Sequence, residues 1–172
     1  MKGQNFRILI SEQQIKDKIS ELGKTITEDY KDKNLLLISV LKGSFIFMSD
    51  LARSIKLDLK IDFLSVSSYS GTTSTGVVRI LNDLSIPIIG YDILLVEDIL
   101  DSGRTLAYIT SILKERKPNS IEVCTLLDKP SRRVVDVDVK YSGFSIPDEF
   151  VVGYGLDYNE DYRNLRDIAV VS

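Results

Sequence analysis

The sequence predicts an α/β domain built on a twisted, mainly parallel sheet, and three features predict it. Runs dominated by apolar residues, without strict alternation, recur along the chain, at NLLLISVL (34–41), DILLVEDIL (92–100) and SIEVCTLLD (120–128). Strands buried on both faces read this way, whereas a half-exposed strand alternates. Between these runs lie segments with apolar residues at helical spacing, and strands alternating with helices give a parallel sheet flanked by helices. At 172 residues the chain suits a single domain, 1–172.

Each element follows from local pattern. Ser11 with Gln14 has the form of a capping box. After it Ile15, Ile19, Leu22 and Ile26 define an amphipathic helix over residues 12 to about 30. A buried strand at 34–41 follows. GSFIFMSDLARSI (43–55) then places Phe47 or Met48, Leu51 and Ile55 on one helical stripe. IDFLSVSSY (61–69) alternates enough for a strand, and VVRIL (77–81) for another. The Ser-, Thr- and Gly-rich stretch between them reads as a solvated connection, or as a tip long enough to serve as an active-site lid. DILLVEDIL is the central strand, TLAYITSILKERK an amphipathic helix stopped near Pro118, and 120–128 the next strand, followed by polar KPSRR. The tail is expected to be strand-rich, with turns at Gly143, Pro147 and Gly155.

Composition removes several function classes. The 22 basic and 25 acidic residues leave a net charge of −3, which gives no electrostatic footprint for nucleic acid as a principal partner. Cys124 is the only cysteine and there is no histidine. Internal disulfides, multi-cysteine zinc sites and Ser-His-Asp or Cys-His catalysis are therefore excluded within the chain. Any acid–base step falls to Asp, Glu, Lys, Tyr or Cys124. MKGQNFRILIS lacks the apolar core of a signal peptide, and no apolar run approaches a membrane span. The expectation is a soluble, cytoplasmic protein without a membrane partner.

The chemistry concentrates in LLVEDILDSGRTL (94–106). Parallel sheets bind ligands beyond the carboxyl ends of their strands, and this segment is such an end. Ser102-Gly103-Arg104-Thr105 lets the backbone turn tightly and aim successive N–H groups at one spot. The helix from Thr105 adds unpaired donors and its positive dipole end. Together they suit a phosphate monoester, although a short S-G-x-T alone is often only a capped helix entry. Glu97 and Asp98 shift the balance. Directly after Leu-Leu-Val they are poorly placed for mere solvation, and their hard oxygens suit ribose hydroxyls or Mg²⁺. As consecutive strand residues they point to opposite sides unless the backbone bends. Asp101 lies between the two parts with no neighbour assigned to neutralise it, a candidate general base. No P-loop and no dinucleotide fingerprint competes.

VEDILDSGRT resembles the phosphoribosyl pyrophosphate signature of the type I phosphoribosyltransferases, specifically their hypoxanthine-guanine branch. LKG (41–43), SSYSG (67–71) and DEFVVGYGLDYNEDYRNL (148–165) match the family's other motifs in order, and the similarity runs from about Ile38 to Ser172. The resemblance implies that fold, with a small hood formed by about 1–15 and 130–172 and a mobile loop at about 66–77. It implies purine salvage: a base displaces pyrophosphate from C1 of the sugar through an oxocarbenium-like transition state, with Mg²⁺ as cofactor. It also implies a homodimer or homotetramer.

Residue by residue, Glu97 and Asp98 would hold the ribose hydroxyls directly or through Mg²⁺, with Ile99 and Leu100 completing the sugar-binding strand. Ser102, Gly103, Arg104 and Thr105 would cradle the 5′-phosphate, and Asp101 would accept or share the N7 proton. Lys42 and Gly43 match the pyrophosphate loop, whose family form has a cis peptide before the lysine. Arg163 would also bind pyrophosphate. Lys129 matches the donor to the purine 6-oxo group; a lysine there cannot accept, so 6-oxopurines are expected over adenine. Phe150 would stack on the base, Val151 would read the ring edge through its backbone, and Asp157 would face the 2-position and a second metal. Ser68 and Tyr69 match lid residues, and Arg133 would support the Lys129 loop. Without the family, Lys129 reads as a surface lysine, Phe150 and Val151 as core, and Arg163 as a solvated ion-pair partner. A nucleotide- and RNA-binding regulator on the same fold, a response-regulator-like domain and a xanthine-preferring sibling enzyme remain as alternatives. The first would show a basic surface patch, and the second an acidic pair after its first strand.

Overall fold

The computed structural model describes residues 5–68 and 78–171. A six-stranded sheet forms the body, in the order β4-β3-β2-β5-β6-β7. Its strands are β2 (Leu35–Leu41), β3 (Lys60–Ser68), β4 (Val78–Asn82), β5 (Asp92–Leu100), β6 (Ser120–Asp128) and β7 (Tyr141–Ser145). All neighbours run parallel except β3 and β4. Helices α1 (Glu12–Asp29) and α2 (Phe45–Ser54) cover one face, and α3 (Arg104–Glu115) covers the other.

The unbroken apolar runs have their predicted cause. Leu35 and Leu37 of β2 pack with Ile15, Leu22, Phe47 and Leu51 on the α1/α2 face. Leu36, Ile38 and Val40 pack with Leu106, Ile109 and Leu113 on the α3 face. Alternate residues enter two cores, so none can be polar without cost. The capping box at Ser11 is complete: its backbone N–H donates to Gln14 Oε1 at 2.9 Å, and Gln14 N–H donates to Ser11 Oγ at 3.3 Å. On α2 both Phe47 and Met48 are buried.

The tail departs from its reading. Gly143 lies inside β7 and not in a turn. A side chain there would collide with the Leu126 carbonyl, so the missing Cβ serves close strand approach. A second, antiparallel sheet of three strands was unread: β1 (Phe6–Ile10), β9 (Ile168–Val171) and the two-residue β8 (Val151–Val152), in the order β1-β9-β8. Only Ile10 of β1 is buried, so this strand carries little periodic signal. Its partner is the far end of the chain, with Phe6 opposite Val171.

This topology leaves one opening. From β2 the chain moves outward to β3, whereas from β5 it moves the other way to β6. Pairing of β2 with β5 ends at Ser39–Val96, while β5 stays paired to β6 as far as Leu100–Asp128. Residues 97–100 therefore have a free edge at the switch point, the usual ligand crevice of such sheets.

Candidate active site

β5 runs straight through its acidic residues, so the pleat sends Glu97 and Asp98 to opposite faces. Glu97 joins Ser102, Gly103, Thr105 and Leu106 around a cavity of about 80 Å³ on the α3 side. Asp98 lies on the α2 side, where a Cβ on Gly43 would strike its carboxylate. Glu97 is buried and its Oε2 has no hydrogen-bond partner. Burial, and then the Asp98 charge, pushes its carboxyl well above the usual range. Burial also raises Asp98, from 3.8 to about 6, against the Ile99 backbone N–H that donates to its Oδ1 at 2.9 Å.

The unpartnered Glu97 Oε2 and the buried carboxylate of Asp98 have the chemistry of a site that receives hydroxyl groups or a hard cation. Among the described residues no group of three acidic, cysteine or histidine side chains could hold a metal alone. An ion bound here would have to complete its shell with substrate oxygens and water.

Raised carboxyl pKa values favour the ligand-free fold in its protonated form. That contribution is fully present below the unfolded values of 4.5 and 3.8 and is lost as pH rises through the folded ones, about 6 for Asp98. Glu97→Gln is therefore expected to stabilise the ligand-free protein at pH 8 by on the order of 1–3 kcal/mol. Calorimetry should find a smaller gain at pH 5, and a loss of stability at pH 8 would contradict the assignment.

The turn after β5 lines the smaller cavity with Ser102, Gly103 and Thr105. Gly103 occupies the N-cap of α3 at φ 83°, in the left-handed region, and no side chain caps the helix. The Arg104 N–H lies 3.5 Å from Ser102 Oγ, a long contact, and the start of α3 faces the cavity mouth, where unpaired helix N–H groups suit an anion. The helix begins at Arg104, one residue earlier than expected.

A larger cavity of about 540 Å³ adjoins the first and shares Ile99 and Asp101 with it. Lys129, Phe150, Val151 and Asp157 line it, together with Arg132 and Asp148. Lys129 is no surface lysine: it is 8% exposed, and its Nζ donates to the Glu149 carbonyl at 2.7 Å. Nor is Phe150 a core residue, since it is 54% exposed and meets Tyr158 edge-on at 5.6 Å. Val151 is buried in β8, paired with Val170.

On the far side, the Leu41–Lys42 peptide is cis. Lys42 Nζ pairs with Glu160 at 2.8 Å. Arg163, mostly buried, pairs with Asp157 at 2.9 Å and Glu160 at 3.3 Å, and donates to the Gly155 carbonyl. Its Nε is buried without an acceptor. Ser68 ends β3, and Tyr69 lies outside the described residues.

One expectation fails at Asp101. It has a neutralising neighbour: Arg132 Nε donates to its Oδ1 at 3.3 Å, and Arg132 also faces Asp148 at 3.6 Å. The missed signal was the arginine pair of KPSRR at a strand's carboxyl end. Arg133 pairs with Asp128 and donates to the Asp101 carbonyl, fastening the Lys129 turn to the β5 turn. Arg7 of β1 was also missed; it holds Glu149 at 2.6 Å, beside Phe150.

The family model for the phosphoribosyl transferase domain matches residues 9–159. A hypoxanthine-guanine phosphoribosyltransferase of Staphylococcus epidermidis is 56% identical over 95% of this chain and 92% of its own length. A hypoxanthine phosphoribosyltransferase of Salmonella typhimurium is 54% identical over 95% and 94%. The crystal structure of a hypoxanthine phosphoribosyltransferase from Staphylococcus aureus superposes with a TM-score of 0.93 at 52% identity, covering 96% of this chain and 91% of the other. By the family model, by identities of 52% to 56% and by a shared fold, the chain belongs to the phosphoribosyltransferase family, in its hypoxanthine-guanine branch.

Proposed function

We propose that the chain transfers the 5-phosphoribosyl group of phosphoribosyl pyrophosphate to hypoxanthine or guanine, giving IMP or GMP and pyrophosphate. The observation that carries this reading is the junction at Asp101, where a phosphate-sized nest meets a slot holding a buried lysine and an exposed aromatic ring. A sugar phosphate anchored in the first would present C1 to a flat base clamped in the second.

In this reading the N–H groups and hydroxyls of Ser102–Thr105 hold the 5′-phosphate. Glu97 and Asp98 take up ribose hydroxyls and Mg²⁺, and Asp157 serves a second ion. Bound Mg²⁺ supplies charge neutralisation to the leaving diphosphate. Lys42, the Gly43 backbone and Arg163 hold that diphosphate from the protein side. Lys129 leaves the Glu149 carbonyl to donate to the 6-oxo group, Phe150 stacks on the ring, and the Val151 backbone reads its edge. As N9 bonds to C1 and the C1–O bond breaks, the N7 proton passes to Asp101. The gain comes from positioning and from charge placed where the oxocarbenium forms. The β1-β9-β8 sheet acts as a hood over the base, and Ser68 and Tyr69 belong to a lid.

A spectrophotometric assay offering phosphoribosyl pyrophosphate with hypoxanthine, guanine, xanthine or adenine tests the reading. Turnover is expected with the first two and not with adenine. Absence of turnover with every purine would overturn it.

A further inference from the structure

Among the described residues, a part-buried side-chain hydrogen bond fastens the turn that follows β8 to α2. Tyr154 is 7% exposed, has φ 50°, and its hydroxyl donates to Asp50 Oδ2 at 2.6 Å. Its ring sits in the core shared with α1 and α2. A buried tyrosine hydroxyl needs an acceptor, so this pairing could be simple core satisfaction. Its neighbours argue for more. Gly155, at φ 103°, presses on the carbonyl of Gly43, and a side chain at Gly155 would collide with that backbone. Gly43 in turn lies on the Asp98 carboxylate. Gly155 also exchanges two bonds with Arg163: its N–H donates to the Arg163 carbonyl at 2.9 Å, and its carbonyl accepts from Nη1 at 2.8 Å.

Asp98, the Lys42–Gly43 loop, Gly155 and Arg163 therefore form one stack with no slack between backbones. The loop is fixed on the sheet side by Ser44, whose hydroxyl bonds Ser39 at 2.6 Å and the Val40 carbonyl. On the tail side, among the described residues, two side-chain ties close the stack. The Lys42–Glu160 pair is exposed, and exposed pairs hold weakly. The Tyr154–Asp50 bond is the more sheltered tie, with Tyr154 7% exposed. The stacking side of the base slot depends on neither: Val151 is set by Val170 of β9, and Phe150 accepts from Val171 N–H through its carbonyl.

We infer that Tyr154, acting through Asp50, is a positioning residue for the diphosphate leaving group, holding Gly155 and Arg163 against the Lys42–Gly43 loop. This rests on the proposed reaction and adds a residue to it. Loss of the tie should loosen the diphosphate site and spare the sugar phosphate and base. A purely structural tyrosine would weaken all ligands alike.

Calorimetric titration separates the two. Tyr154→Phe and Asp50→Ala are each expected to weaken Mg²⁺–pyrophosphate binding about tenfold, the scale of one charge-assisted hydrogen bond. IMP, which lacks the diphosphate, should bind within about twofold of the parent protein. Asp50→Asn keeps an acceptor and should restore most of the pyrophosphate affinity. Asp50 is partly exposed on α2, so its variants decide the matter even if Tyr154→Phe folds poorly. Equal weakening of both ligands, or of neither, overturns the inference. Failure of the unaltered protein to bind either ligand would instead overturn the proposed reaction.

Discussion

Replacing Asp101 by asparagine should lower kcat by about 10²–10⁴-fold, the range lost when a positioned proton acceptor is removed. Affinity for phosphoribosyl pyrophosphate should change little. The two outcomes separate because Asp101 stands at the meeting of two cavities without being needed to hold the phosphate. The nest is made by the Ser102–Thr105 backbone and the uncapped start of α3, which asparagine leaves in place. An amide has the shape of the carboxylate but cannot take a proton at working pH. Arg132 also bears on this result. Its Nε donates to Asp101 Oδ1, while both side chains remain about half exposed, so the pairing itself is weak until a base covers it. Single-turnover rates and direct titration of the sugar diphosphate would check the split. If binding collapses with the rate, Asp101 belongs to the nest and is not the proton acceptor.

What could be read in advance follows a physical division. The sheet was legible because a strand buried on both faces is apolar along most of its length, and the central residues of β2, β5 and β6 are buried in this way. The nest was legible because Ser102 to Thr105 act through contiguous backbone. The opposed directions of Glu97 and Asp98 followed from strand alternation alone. Features built by distant segments were not legible. β1 shows no pattern of its own and is defined by residues more than 150 positions away. Arg132 on Asp101, Arg7 on Glu149 and Tyr154 on Asp50 each join elements that only the fold brings together. Gly143 misled for a related reason: glycine marks turns and close strand contacts alike, and the neighbour that decides between them, Leu126, lies on another strand.

The second large effect is expected at Lys129. Lys129→Met keeps the length and apolar stem of the side chain and removes its charged donor. The catalytic efficiency with hypoxanthine should fall about 10- to 100-fold, corresponding to one hydrogen bond from a charged group. The same change should narrow the preference for hypoxanthine over adenine, because selectivity here rests on a donor that a 6-amino group cannot use. Burial makes the test sharp. An exposed lysine would be replaced by water at little cost, whereas at 8% exposure water has poor access and the 6-oxo group would be left unpaired. The substitution also orphans the Glu149 carbonyl, which accepts from Nζ in the free protein. A moderate loss of thermal stability should accompany it, so stability alone cannot identify the role. The ratio of kcat/KM for hypoxanthine to that for adenine can, because a general loosening of the pocket would lower both. If that ratio is unchanged while stability falls, Lys129 is a structural tie to the Glu149 segment, and reading of the 6-position must lie elsewhere in the slot.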